Sequence, residues 1–207
     1  DVVYGSFDVD RFEPAAGDRA RVRAELGLDE ATPLVVQVGH LNRKKAPRTF
    51  VRTIGALTRL HASAVGALVG KGKLRGRCEQ LAAELKLGDR LRLLGFRRDV
   101  QDIYAAADVV VNSSTDSEGL TGVLREALAM ERPVVATAVD GNPELVQDGL
   151  TGLLVPPRDP DAMAAAIARL LDDRDRAAAM AKAGRALVLS LMHPDVRVAR
   201  TEAVYRA

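Results

Sequence analysis

Two glutamates, Glu118 and Glu126, stand eight residues apart in a setting that favours chemistry. A strand-like apolar run at 109–111 precedes them, and a helical pattern of apolar residues follows as far as Met130. This pattern predicts Glu118 in the turn where the helix starts and Glu126 about two turns inside it. Eight helical steps would leave the carboxylates ~80° apart around the axis and about 12 Å apart along it, so one ligand could contact both. The alternative is a surface Glu126 and a Glu118 that only favours a helix N-terminus.

A turn rich in cations follows the first predicted strand. It runs from Gly39 to Pro47 and places Arg43, Lys44 and Lys45 in succession just before a predicted helix. Cations are unfavourable at a helix N-terminus unless an anion binds there, and a glycine lets a ligand approach the backbone closely. A diphosphate would satisfy both features, whereas the alternative is a solvated basic turn.

Other chemistries find little support in the sequence. The turn Gly70–Gly76 resembles a dinucleotide-binding fingerprint, but its third glycine falls one place late and no acidic residue ends the next predicted strand. His40, His61 and His193 have no metal-binding spacing, and no Gly-x-Ser-x-Gly elbow occurs. We therefore disfavour NAD, FAD, a bound metal and a serine nucleophile.

The elements that must position these residues alternate between strand-like and helix-like segments. Strands are predicted at 34–38, 64–69, 92–94, 108–112, 133–136 and 152–155. Helices are predicted at 18–26, 46–61, 73–86, 99–106, 118–130, 143–147, 160–172, 174–189 and 195–206. The alternation predicts an α/β fold, a doubly wound parallel sheet of about six strands covered on both faces. Ligands of such sheets bind beyond the carboxyl ends of the strands, and each turn discussed above follows a predicted strand.

Composition narrows the class further. The 207 residues are 47% apolar, enough for one large domain, and no apolar run approaches the ~20 residues that span a membrane. The first hundred residues carry 19 basic and 12 acidic side chains, and the rest carry 11 and 16, an asymmetry that could attract an anion to one side. Aromatic residues make up only 3%, which disfavours nucleic acid. The single cysteine, Cys78, is compatible with a reducing compartment, so we expect the protein to be cytoplasmic.

Taken together, these segments resemble the C-terminal, donor-binding domain of a family 4 (group 1) retaining glycosyltransferase with a GT-B fold. Gly39, Leu41 and Lys45 match the turn that follows the first strand in that family, and His40 stands where the family has arginine. Similar segments also occur at 107–108, 133–136, 142–146 and 148–157. The resemblance covers nearly the whole chain and implies the Rossmann-like half of a GT-B fold.

The paired glutamates belong to the same resemblance. Glu118 and Glu126 match the two glutamates that the family separates by seven residues, and Thr121 stands in place of a family glycine. By resemblance, Glu118 faces the hydroxyls of the donor sugar and Glu126 faces the ribose.

The resemblance also implies a nucleoside-diphosphate sugar as donor substrate, with no cofactor and no essential metal. Lys45, aided by Arg43 or His40, would stabilise the leaving diphosphate, so Lys45 and Glu118 are the expected catalytic residues. The nucleotide base is expected near 92–96. The expected donor-binding residues are Gly39, His40, Arg43, Arg92, Gly95, Phe96, Gly119, Leu120, Thr121 and Glu126.

The family carries an acceptor-binding domain before this one, so the chain is expected to be half of an enzyme and inactive in transfer by itself. We expect residues 1–14, a strand end and a turn, to be the interdomain connector. Residues 15–190 would be the nucleotide-sugar-binding domain and 191–207 a C-terminal helix. Expected partners are the donor and the N-terminal domain, with a membrane contacted only through that domain, if at all. Two alternatives stay open: a GT-B epimerase or phosphorylase, and a non-catalytic nucleotide-sugar-binding module.

Overall fold

A computed structural model describes residues 3–116, 119 and 121–206. It contains one parallel sheet of six strands in the order β3-β2-β1-β4-β5-β6. The strands are β1 (Leu34–Val38), β2 (Val65–Val69), β3 (Leu91–Gly95), β4 (Val109–Asn112), β5 (Val134–Thr137) and β6 (Leu153–Val155). The predicted doubly wound parallel sheet is therefore confirmed, with each strand within one residue of its predicted bounds.

Helices cover both faces of this sheet. They are α1 (Arg19–Glu25), α2 (Pro47–Leu60), α3 (Arg75–Glu84), α4 (Val100–Ala106), α5 (Gly122–Ala129), α6 (Asn142–Leu145), α7 (Pro160–Asp172), α8 (Arg174–Met192) and α9 (Pro194–Arg206). Short 3-10 turns lie at Pro14–Ala16 and Gly88–Arg90. Apolar residues of α2, α3 and α7 share one hydrophobic core, those of α1, α4 and α5 share the other, and α8 contributes to both.

The central strands are buried because both faces are covered. Leu34, Val35 and Val36 of β1 have no exposed surface, and their side chains alternate between the two cores. Burial of each such side chain contributes roughly 1.5–3 kcal/mol. In register, Val35 and Val36 pair with Gly66 and Ala67 on one side and with β4 on the other, so β1 is the axis of the fold.

Helix starts follow local signals. Asp159 caps α7 by accepting a hydrogen bond from the Ala162 amide at 2.9 Å, and Pro160 occupies the first turn as predicted. By contrast, α2 starts after Ala46, whose φ of 43° is left-handed and whose methyl group cannot cap. The amides at the start of α2 therefore have no side-chain cap.

The α1 arginine network attaches α1 to the rest of the domain. We use this name for Arg19, Arg21 and Arg23 together with the carboxylates that they contact. Arg19 pairs with Asp108 at 3.1 Å, and Arg21 pairs with Asp99 at 2.7 Å and with Asp102 at 2.5 Å. Arg23 is 1% exposed, and its guanidinium donates to the Ala106 carbonyl at 3.0 Å and approaches Asp108 at 3.4 Å.

Two local predictions were wrong. Residues 3–14 contain no strand among the residues described, although a strand end was expected there. Helix α5 begins at Gly122 rather than near residue 118, because Thr121 is extended (φ −72°, ψ 130°). Glu126 therefore lies in the second turn of α5, and the eight-step helical geometry does not relate it to Glu118.

Strand order sets the position of the site. The chain runs outward from β1 through β2 to β3, and then returns to the other side of β1 as β4. The turns after β1 and β4 consequently diverge at the carboxyl ends of two neighbouring strands, where open α/β sheets bind their ligands. These are the turns that carry the cations and lead into α5.

Candidate functional site

The backbone of the cationic turn is fixed to both central strands. Gln37 of β1 donates from Nε2 to the Lys45 carbonyl at 3.0 Å, and the Ser113 hydroxyl, just after β4, lies 3.0 Å from the same oxygen. The Thr115 amide donates to the Lys44 carbonyl at 2.9 Å. The turn after β1 and the segment after β4 are thus joined, and Lys45 is held at the point where they diverge.

The Lys45 side chain extends over Gly39. A methyl group placed at Gly39 would lie 3.7 Å from the Lys45 methylenes, and the Gly39 φ of 150° is one that other residues rarely adopt. His40 is exposed beside it. The structure therefore brings Gly39, His40 and Lys45 together, as the sequence predicted.

Backbone hydrogen bonds join the ends of β1, β2 and β3 next to Gly39. The Gly39 amide donates to the Val69 carbonyl at 2.9 Å, and the Gly70 amide donates to the Gly95 carbonyl at 2.7 Å. A methyl group at Gly70 would lie 1.9 Å from the Gly39 carbonyl oxygen, which is inside van der Waals contact. The ends of β1 and β2 can approach this closely only because residue 70 is a glycine, which has no side chain.

A cavity of about 190 Å³, which we call the strand-end cavity, opens beyond these three strands. Its lining includes Gly39, His40, Lys71, Phe96 and Arg97. Phe96 is 62% exposed, and the Lys71 ammonium lies 5.4 Å from the centre of its ring. An exposed ring beside a cation can stack a flat heterocycle and neutralise a nearby anion.

Arg92 and Arg43 lie elsewhere. Arg92 is near the start of β3, three residues before Gly95 (roughly 10 Å along the strand), and it pairs with Asp89. Arg43 lines a different, larger cavity on the side of α2 and α3, which we call the basic cavity. Neither residue lines the strand-end cavity with Gly39 and His40.

Glu126 is held in a partly buried position by Tyr104. The Tyr104 hydroxyl donates to Glu126 Oε2 at 3.0 Å, and Tyr104 has no exposed surface. Burial raises the pKa of the Glu126 carboxyl and raises the pKa of Tyr104 well above its ordinary value. Oε1 lies near Gly122, because a methyl group there would be 3.4 Å away, so the carboxylate points back toward the start of α5.

A buried polar network supports the turn before α5. Asn112 donates to the Thr121 hydroxyl at 3.3 Å and accepts from the Ser114 amide at 3.0 Å. Thr137 of β5 donates to the Ser114 carbonyl at 2.6 Å. Thr121 is 4% exposed, so its side chain points into the protein. Gly119 is exposed at the surface of the same turn. Glu118 and Leu120, the other candidates predicted here, lie outside the described residues.

Other reactive groups are inert or dispersed. Cys78 is buried, and burial raises the pKa of its thiol to about 11, so the thiolate is scarce at neutral pH. Across residues 3–116, 119 and 121–206, no three His, Cys, Asp or Glu side chains cluster as metal ligands would. No helix in the same ranges is both long and apolar enough to cross a bilayer.

The family model described as glycosyl transferases group 1 matches residues 32–173, which contain all six strands and the crevice between β1 and β4. The chain belongs to this family. The predicted resemblance to the donor-binding C-terminal domain of a GT-B glycosyltransferase is therefore confirmed at the level of family and fold.

Relatives of this glycosyltransferase chain include two D-inositol 3-phosphate glycosyltransferases. The one from Mycolicibacterium gilvum (strain PYR-GCK) is 40% identical over 168 residues, covering 79% of the chain and 37% of the relative. The one from Nocardia farcinica (strain IFM 10152) is 41% identical over 187 residues, covering 85% and 40%. The chain thus spans about two fifths of the length of these curated relatives.

Among solved structures, this glycosyltransferase chain is similar to Anabaena Alr3699/HepE in complex with UDP and glucose. The TM-score is 0.88 at 26% identity, and the match covers 100% of this chain and 57% of the other.

Sequence reasoning missed several residues of this candidate site. Gln37 and Ser113 fix the Lys45 turn, yet as buried polar residues at strand ends they carry no motif. Tyr104 positions Glu126 from a helix 22 residues earlier, which only the tertiary structure reveals. Lys71 had a usable signal, because it follows β2 at the same edge as Gly39 and Phe96.

Proposed function

We propose that this chain is the nucleotide-sugar-binding half of a retaining glycosyltransferase. In the intact enzyme it would hold a nucleoside-diphosphate sugar while an N-terminal domain holds the acceptor. The observation that carries the proposal is the arrangement at the β1/β4 switch point in a group 1 family member. There a fixed lysine turn follows β1, and a helix bearing a partly buried glutamate follows β4.

The diphosphate would lie between Lys45 and the start of α5. The first turn of α5 contains no acidic residue, and Thr121 makes no side-chain cap to it, so backbone amides there can donate to an anion. Lys45 would supply positive charge from the opposite side, and His40 could add a hydrogen bond. Two unit charges 4 Å apart interact by about 4 kcal/mol at an effective dielectric constant near 20, before desolvation is subtracted.

The nucleoside would extend from the diphosphate across the strand ends. Glu126 would accept hydrogen bonds from the ribose hydroxyls, because its Oε1 points toward the start of α5. The base would enter the strand-end cavity and stack on Phe96, with backbone groups near Gly95 forming its edge contacts. UDP is the first nucleotide to test, since the HepE structure contains it.

The sugar would face Glu118, Gly119 and Leu120, as the resemblance implies. During transfer the bond between the anomeric carbon and the diphosphate breaks, and the leaving oxygen gains negative charge. Lys45 would stabilise that charge, which supports a reaction that needs no essential metal. The acceptor hydroxyl would then bond through its oxygen to the same face of the sugar and pass its proton to the leaving phosphate oxygen, so that the configuration is retained. Acceptor contacts would come from the N-terminal domain, so this chain alone would not transfer sugar. We propose that the enzyme acts in the cytoplasm.

Calorimetric titration of the chain with UDP, GDP and ADP tests the binding half of this proposal. We expect one of the three to bind, and Lys45→Ala to weaken it at least tenfold. Lys182→Ala is the matched control, because Lys182 is exposed on α8 away from both cavities. Failure of all three nucleotides to bind below about 1 mM would contradict the proposal. Binding without any transfer by the full-length enzyme, donor and acceptor together, would instead favour a non-catalytic module.

A further inference from the structure

The basic cavity is a second concave surface, on the opposite side of the cationic turn from the strand-end cavity. It has a volume of about 830 Å³, within the roughly 300–1,000 Å³ typical of small-molecule pockets. It lies where the N-terminal ends of α2, α3 and α7 meet. Its six cations come from four separate segments: Arg43, Lys44, Arg48, Arg52, Arg77 and Arg158.

These cations lack the partners that nearby arginines have. No ion pair to a carboxylate involves any of the six within residues 3–116, 119 and 121–206. On the same two helices but outside the cavity lining, Arg59 pairs with Asp161 at 3.1 Å and Arg75 pairs with Glu79 at 2.8 Å. Within the part of the chain that the structure describes, the arginines of α2 and α3 therefore form ion pairs where they lie outside the cavity lining and form none where they belong to it.

The cavity also gathers helix ends that favour negative charge. Neither α2 nor α3 has a side-chain cap or an acidic residue in its first turn. Cations crowded at such ends repel both one another and the positive end of each helix dipole. The carboxylate in the lining, Asp116, lies 3.3 Å from the Thr115 hydroxyl, and one carboxylate cannot neutralise six cations.

We propose that the basic cavity binds a soluble small molecule carrying two or more phosphate groups, at a site separate from the donor crevice, the space between Lys45 and the start of α5 where the donor diphosphate would lie. Guanidinium groups match phosphate oxygens by paired hydrogen bonds, and five of the six cations are arginines. The six cations are exposed around a concave site between three helix ends, and this concave shape favours a small ligand over a flat membrane surface. Leu74 and Pro160 give the cavity apolar walls against which the rest of the ligand can pack.

Occupation of this cavity has a structural consequence for the donor crevice. Arg43 and Lys44 belong to the same turn as Lys45, and Thr115 donates to the Lys44 carbonyl at 2.9 Å. An anion bound to Arg43 and Lys44 would therefore restrain the turn that carries Lys45. This makes the cavity a candidate regulatory site.

Inorganic tripolyphosphate is the probe for the test, by calorimetric titration of the chain at 0.15 M salt. We expect saturable binding that Arg52→Glu or Arg77→Glu weakens at least tenfold. Arg59→Glu, on the same helix as Arg52 and with the same change of charge, should weaken it less than twofold. If either glutamate variant fails to fold, Arg52→Gln and Arg77→Gln take their place. These milder changes should weaken tripolyphosphate binding about threefold. Lys45→Ala, which alters the donor crevice, should leave tripolyphosphate binding in place.

Three results would overturn the proposal. Equal weakening by Arg59→Glu would mean that only net charge matters. Loss of tripolyphosphate binding in Lys45→Ala would place the anion in the donor crevice. Binding to phosphatidylglycerol vesicles, lost in Arg52→Glu, without any binding of tripolyphosphate would identify a lipid surface instead of a soluble ligand. None of these results depends on whether the chain is half of a transferase.

Discussion

Arginines are used in opposite ways in the α1 arginine network and in the basic cavity. Each arginine of α1 contacts a carboxylate, and a hydrogen bond from Arg97 lowers the pKa of Asp99 in the same network. The arginines of the basic cavity form no such pairs among the described residues. Paired charges at the first location hold elements together, whereas those at the second keep their hydrogen-bonding capacity for a ligand. Substitutions should consequently reduce stability in one region and binding in the other.

Arg23→Ala should have the largest effect and sharpen this comparison. Arg23 is 1% exposed, so its loss removes the buried guanidinium that donates to the carbonyl oxygens of Ala106, Asp29 and Thr32. We expect a loss of about 3–5 kcal/mol in the free energy of unfolding, measured by urea denaturation, because each buried acceptor left unsatisfied costs about 1–3 kcal/mol. Arg52→Ala should change it by less than about 0.5 kcal/mol. Similar losses in the two variants would break the comparison.

Lys45→Ala should reduce function without reducing stability. In the intact enzyme we expect donor turnover to fall at least tenfold, about 1.4 kcal/mol of transition-state stabilisation, because the leaving diphosphate loses its cation. Steady-state kinetics with donor and acceptor would measure the effect, and Lys182→Ala would serve as the control. Unchanged turnover would reject the role given to Lys45.

Phe96→Ala should weaken nucleotide binding at least about fivefold, or ~1 kcal/mol, the lower end for stacking of a base on an aromatic ring. Since Phe96 is 62% exposed, the free energy of unfolding should hardly change. Calorimetric titration with UDP would measure the loss, and Phe96→Tyr should largely restore binding. A nucleotide that binds Phe96→Ala as tightly as the parent chain would exclude the strand-end cavity as the base site.

Glu126→Gln should give the smallest change, and it should raise the stability of the fold instead of lowering it. Burial raises the pKa of Glu126, so its neutral form is favoured in the fold and its ionisation at neutral pH opposes folding. The stability contributed by the protonated form is present at low pH and is lost as pH rises through the folded-state pKa.

Glutamine should therefore raise Tm at pH 7, by about 2–4 °C for each kcal/mol, and the gain should vanish in acid. It can still accept the Tyr104 hydrogen bond, while nucleotide affinity falls a few-fold. Thermal melts at pH 4 and pH 7 would check the sign. A lower Tm at pH 7 would show that the ionised carboxylate stabilises the fold.

The sequence was informative about the positions of the strands. It was less informative about where α5 begins and about which side chains lie together at the site. Strand bounds were predicted closely because the apolar runs are short and bounded by polar or Gly-rich turns, as at β1 and Gly39. The predicted start of α5 was wrong because the helical pattern was extended back from Leu124 through Thr121. Thr121 is in fact extended, and its hydroxyl accepts a hydrogen bond from Asn112. Arg92 was assigned to the site by its neighbours in sequence, although a strand carries it away from Gly95.

The basic cavity could not be predicted at all from spacing. Its cations span residues 43 to 158 and meet only because α2, α3 and α7 pack on one face of the sheet. All arginines carry the same charge, and no local sequence pattern distinguishes Arg52, which lines the cavity, from Arg59, which does not. Their difference arises from their positions along α2, about 10 Å apart on the helix axis, and from the position of Asp161 on another helix.

The contact between Gly70 and Gly39 limits how proteins built on this plan can diversify. Even alanine at Gly70 would force its methyl group against the neighbouring peptide oxygen and push two adjacent strands apart. A residue with a side chain at position 70 is therefore incompatible with the present spacing of the two strands. The side chains above the strands can be exchanged one at a time. Changes in ligand preference should therefore come from residues such as His40, Lys71 and Phe96, while the backbone beneath them keeps its position.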